Sequence, residues 1–157
     1  MSEYTKEKLN EFYKKVGEKV PVEKLEELIY TGGENKYRTA YQELMSNSLL
    51  DFASALRKTV DTVDSSIRMG ICSTPDNWDN SGTDMIELSK TIAGNTKPFT
   101  RIFHAPYDNI NIIPAIETAR MQFNWLDGTG IECFAEGDVY PRPRYNVPSK
   151  ILELFDF

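Results

Sequence analysis

The chain has 157 residues, 40% of them apolar and 11% aromatic, which fits one compact soluble domain (1–157) with a core of ordinary size. It carries 24 acidic against 18 basic residues, a net charge of −6, and so lacks the general attraction for phosphate backbones that makes nucleic acid a partner. No run approaches the ~18 apolar residues of a membrane span. Met1 to Lys8 is polar and of mixed charge, unlike a secretion leader. The two cysteines, Cys72 and Cys133, suit a reducing compartment, so a cytoplasmic protein with free thiols and no membrane partner is expected.

The first 68 residues read as helices. Leu9, Phe12, Tyr13 and Val16 recur at helical spacing, and Gly17 offers a left-handed stop. Pro21 suits the first turn of a second helix with the stripe Val22, Leu25, Leu28 and Ile29, broken by Gly32 and Gly33. A third stripe, Tyr37, Ala40, Tyr41, Leu44 and Met45, meets Ser46, Asn47 and Ser48, where the helix pauses or continues with a kink. Leu49, Phe52, Ala53, Leu56, Val60, Val63 and Ile67 then predict helix to about Ser65.

The second half changes texture. Ile67 to Ser73 is apolar enough for a buried strand, and Thr74 to Gly82 reads as loop. A short helix follows, with Asp84 and Glu87 in its first turn, Ile86 and Ile92 facing inward, and Gly94 and Asn95 at its end. Pro98 opens a strand in which Phe99, Arg101 and Phe103 share one face and Thr100, Ile102 and His104 the other, the two phenylalanines being assigned to the core. Asp108 to Asn111 is a turn. A helix from Pro114 carries Ile116, Ala119, Phe123 and Leu126, Gly130 to Ala135 is a strand, and a terminal helix from Pro148 carries Ile151, Leu152 and Phe155. The fold class expected is α+β: a helical N-terminal half (1–66) packed on a small, mostly antiparallel sheet from the C-terminal half (67–157).

Charge is uneven. Residues 1–68 hold 11 Lys and Arg against 12 Asp and Glu, whereas residues 69–157 hold 7 against 12, so the acidic excess lies in the second half. An acidic face suits a basic protein partner, in the manner of immunity or phage counter-defence proteins of this size, with Asp76, Trp78, Asp79 and Asp138 as contact candidates. The run from Asp76 to Asp84 imitates a calcium loop in composition, but Leu88 occupies the position that needs a bidentate glutamate. Capping of the next helix by Ser81, Thr83 or Asp84 explains the same residues.

Two further constellations carry chemistry. The stiff segment Tyr140 to Tyr145 places Arg142 and Arg144 beside tyrosines. With Arg101, His104 and Tyr145 they compose an anion or nucleotide pocket, unless the arginines pair with Glu132, Glu136 or Asp138. Catalysis has only the pair Cys72 and His104, or carboxylate pairs such as Asp76 with Asp79 and Glu132 with Glu136. No catalytic residue, metal site or cofactor is assigned. The leading expectation is a small acidic binding or inhibitory protein. A small anionic ligand bound by an arginine and aromatic pocket is the first alternative, and a small enzyme the second.

Overall fold

The computed structural model describes residues 1–72, 83–104 and 113–136. Helix α1 (Glu3–Val16) starts at Ser2, whose hydroxyl accepts from the Thr5 amide, and stops at Gly17 in the left-handed region at φ +81°, the stop expected there. Pro21 leads into one 3-10 turn, Val22–Lys24, and then α2 (Leu25–Tyr30). Arg38 closes the end of α2, its Nε donating to the Ile29 carbonyl at 2.8 Å and Nη2 to that of Gly32 at 3.2 Å. Asn35 caps α3 (Lys36–Asp61) by accepting from the Tyr37 and Arg38 amides.

Of the pause or kinked continuation expected at Ser46 to Ser48, the chain continues: helix α3 runs 26 residues through them. Ser48 turns its hydroxyl back onto the Leu44 carbonyl at 2.8 Å, which satisfies the polar group inside the helix. The helix ends at Asp61, short of the expected Ser65. It is about 39 Å long, and two separate clusters pack on it. Phe12, Val16, Ile29 and Ala40 make the first, with Tyr13, Leu25, Tyr37, Tyr41 and Leu44 against them. Ala53 joins Met85, Leu88, Ile92, Leu126 and Ile131 in the second. At 3.6 residues per turn Ala40 and Ala53 point about 140° apart, so the two clusters lie on different sides of one helix.

The second cluster belongs to the sheet. Helix α4 (Met85–Ala93) begins at Asp84, whose carboxylate accepts from the Ile86 and Glu87 amides at 3.1 and 3.0 Å, the capping role expected of the calcium-like loop's last residue. After Gly94 come β1 (Phe99–His104), α5 (Ile113–Leu126) and β2 (Glu132–Glu136). Strands β1 and β2 pair in parallel, Phe99 opposite Glu132 and His104 opposite Glu136, with an irregularity between Arg101 and Phe103. The strand expected over Ile67 to Ser73 is reduced to a single parallel bridge from Ile71 to Thr100. In it Ile71 N donates to the Phe99 carbonyl and Arg101 N to that of Ile71.

These pairings correct the expected fold class. The described chain is mostly helical, with five α-helices and a two-stranded parallel sheet, not an antiparallel one. The reason is connectivity: α4 returns the chain between Ile71 and β1, and α5 between β1 and β2, and a helix that carries the chain back makes the next strand parallel. Nor does the N-terminal half pack on the sheet as a block. The first cluster contains no strand residue, and α3 meets the sheet's core through its C-terminal half. Among the described residues no helix is long and apolar enough to cross a membrane.

Candidate functional site

Parallel partners point to the same side of a sheet, and neighbours along a strand alternate. Thr100 is wholly buried and Ile102 and Cys133 pack against the second cluster, so these residues define the inner face. Phe99, Arg101, Glu132 and Phe134 therefore share the outer face. This reverses the expectation that Phe99 is core. The pairings step in one direction from Ile71 to β1 to β2, and successive crossovers of one hand then lie on one side. That leaves the other side of the strands to Phe99.

The outer face holds a shallow cavity of about 520 Å³ lined by Arg68, Phe99, Glu132, Cys133 and Phe134, with no described helix in its wall. Its floor is aromatic. The Phe99 and Phe134 ring centroids lie 5.8 Å apart with planes inclined at 50°, and Phe134 is 38% exposed. The Arg68 guanidinium lies 4.9 Å from the Phe99 centroid, within cation–π range. One Arg68 nitrogen, Nη2, donates to Glu132 Oε2 at 2.5 Å, and Lys97 Nζ donates to Glu132 Oε1 at 2.6 Å. Arg68 also donates to the Lys97 carbonyl, tying the segment before β1 to β2.

Two cations on one carboxylate set its titration. The Lys97 ammonium first and the Arg68 guanidinium second hold Glu132 well below the ordinary 4.5, at about 2. That direction is opposite to the one a general acid near neutrality needs, so the expected pairing of Glu132 with Glu136 for acid and base work is disfavoured. Among the described residues the partners of the Glu132 carboxylate are Arg68 and Lys97.

Arg101, half-buried in β1, is brought to this face beside Phe99 and opposite Phe134, and it is itself engaged in an interaction. His104 occupies the last position of β1. Asp76, Trp78, Asp79, Asp138, Arg142, Arg144 and Tyr145 lie outside the described residues, as does the terminal helix expected from Pro148. The segments that contain them follow Cys72 and Glu136 in the chain.

The cysteines are free. Thr100 of β1 is bridged on one side to Ile71 and on the other to Cys133, so two strand spacings, about 9.6 Å, separate Cys133 from the run that ends at Cys72. That exceeds the ~7 Å limit for a disulfide. Cys72 is exposed, whereas burial pushes the Cys133 thiol up. Cys72 follows the bridge to Thr100 by one residue and His104 follows Thr100 by four, so their backbone positions are offset by three residues, about 10 Å, along the strand direction.

Sequence reasoning passed over Arg68 and Phe134. Arg68 reads as the tail of a helical half, and only the knowledge that Ile71 bridges to β1 brings it over Phe99. Phe134 was legible in principle from the alternation of Glu132, Cys133 and Phe134, once the apolar ring is placed opposite the thiol. Compared with protein-family models, curated proteins and solved structures, the chain finds no match.

Proposed function

We propose that this is a binding protein that acts by occupying its target through the outer face of the parallel sheet. The observation that carries the reading is the aromatic pair Phe99 and Phe134 in an open cavity on that face. Parallel sheets are ordinarily covered on both sides. Aromatic and arginine side chains are also the groups that anchor interfaces. Of the two binding modes expected from sequence, this favours the arginine and aromatic site over the acidic surface. Asp76, Trp78, Asp79 and Asp138 remain the residues of a basic-partner mode, and a cytoplasmic setting accords with two free thiols. An enzyme is the weaker reading, since Glu132, the carboxylate among the described lining residues, is tied to two cations.

Amide NMR tests the proposal directly. Lysate of the native host is separated into small-molecule and macromolecular fractions, and each is added to the labelled chain and to its Phe134→Ser variant. Amides of Lys97, Phe99 to Arg101 and Glu132 to Phe134 are expected to shift with one fraction in the parent and with neither in the variant. If neither fraction moves those amides in the parent, the outer face is not the binding surface.

A further inference from the structure

We propose that the outer-face cavity is a site for a planar anion, an aromatic ring carrying a carboxylate or phosphate, and that Glu132 is its built-in occupant. The inference rests on the proposed role of this face and adds the chemistry of what it takes.

The geometry of the anion half is already present. Arg68 Nη2 and Lys97 Nζ converge on the two oxygens of one carboxylate, each through a charge-assisted hydrogen bond. Their two positive charges meet a single negative one, so the cluster of Arg68, Lys97 and Glu132 keeps a net charge of +1. In a chain of net charge −6 this is a locally basic surface. The other half of the site is flat. Phe99 lies under the Arg68 guanidinium and packs closely on Gly70, and Phe134, inclined to it and 38% exposed, offers aromatic surface beside the cation pair. The cavity volume of about 520 Å³ falls within the usual range for small-molecule sites.

Glu132 is held firmly enough to keep the cations in place and loosely enough to leave. Its side chain is 42% exposed and those of Arg68 and Lys97 are 45% and 62% exposed, so when the carboxylate swings out, water takes over its solvation. A ligand that supplies both an anion for the cations and a ring for Phe99 and Phe134 makes contacts that Glu132 does not. A bare anion only exchanges one carboxylate for another, and a neutral ring leaves Glu132 where it is. The site therefore selects molecules that carry both parts.

The test is calorimetric titration of the full chain and its Glu132→Gln, Arg68→Ala and Phe134→Leu variants. The probes are adenosine monophosphate and 2-naphthoate, with adenosine and inorganic phosphate as the separate halves. Glu132→Gln is expected to bind at least one ring-bearing anion at least tenfold more tightly than the parent, and each half at least tenfold more weakly than that anion. Adenosine monophosphate or 2-naphthoate alone as the tight probe identifies a phosphate or a carboxylate as the preferred group. Phe134→Leu in the Glu132→Gln background keeps apolar bulk without the ring and is expected to lose at least fivefold. Arg68→Ala in that background is expected to lose at least tenfold, and the Phe134→Leu arm decides the matter if that variant does not fold. No gain in Glu132→Gln, halves that bind as well as the whole, or indifference to both Phe134→Leu and Arg68→Ala overturns the inference. Lysate-induced shifts at the outer face would stand in each of those cases, so failure here is distinguishable from failure of the binding role itself.

Discussion

Arg57 is a buried cation that ties three parts of the chain together. It is 4% exposed, donates from Nε and Nη2 to Asp61 Oδ1 and from Nη1 to the Ile67 carbonyl, and so fixes how the chain leaves α3. Its aliphatic stem packs against Gly94, which caps α4 at φ +58° and ψ −122°. A Cβ at Gly94 would lie 2.9 Å from Arg57 Cδ, and the backbone there is one that L-residues avoid. Gly94→Ala is therefore expected to cost about 3 kcal/mol from strain and overlap together, read as a fall in the urea midpoint with unchanged slope. Ser89 gives the opposite case. Its hydroxyl is fully buried without a hydrogen-bond partner among the described residues, so Ser89→Ala removes a desolvated group at no cost in bonding. Stability is expected to stay within about 0.5 kcal/mol or to rise, and a loss above about 1 kcal/mol would reveal a partner for the hydroxyl. Glu132 supplies a pH signature. Its carboxyl is depressed from 4.5 to about 2 in the fold, so its contribution is complete above pH 4.5 and is lost as pH falls through about 2. Glu132→Gln should flatten stability against pH in that window, and an unchanged acid limb would show that the ion pairs do not persist in solution.

Among the elements, α3 and the sheet show what was legible in sequence and what was not. Helices α1, α4 and α5 and strands β1 and β2 were readable from local signals, because their caps and stops, Gly17, Asp84 and Gly94, act within a turn of themselves. The unity of α3 was not, since Ser46, Asn47 and Ser48 are poor helix formers and only clusters on both sides hold them in line. Strand direction failed for a different reason: a period of two identifies a strand but says nothing of the direction of its neighbour. The helices lying between the strands carried that information, and it was not used. Of the binding surface, Arg101, Glu132 and the strand of Phe99 were in view but their grouping with Arg68 was not, because Arg68 and Glu132 are 64 residues apart and meet only through the parallel pairing. Exposed Asn47 tests the claim that α3 is one rigid element. Asn47→Ala should stabilise by about 0.5 kcal/mol through propensity alone, while Asn47→Pro should cost about 3 kcal/mol by breaking the helix between its two clusters. Thermal denaturation of the two variants checks both signs, and a neutral proline substitution would mean that α3 is already interrupted there.

At the scale of the whole molecule, one helix supports two cores with different duties. The first is small and built from α1, α2 and the start of α3, with exposed ion pairs such as Lys15 to Glu43 and Lys36 to Glu18 on its surface. The second carries the sheet and with it the candidate site. Because α3 enters both clusters on different sides, loosening the first should cost stability without changing the geometry of Phe99, Phe134 and Arg68. Phe12, 3% exposed at the centre of the first cluster, is the residue to remove. Phe12→Ala should destabilise that cluster by about 3–5 kcal/mol. Hydrogen exchange should then accelerate across α1, α2 and the first half of α3, while protection in β1, β2 and α4 keeps its parent value. Ligand or partner affinity at the outer face should be unchanged while the second core stays folded. Uniform acceleration through both regions would instead mean that α3 transmits the loss along its length and that the two clusters unfold as one unit.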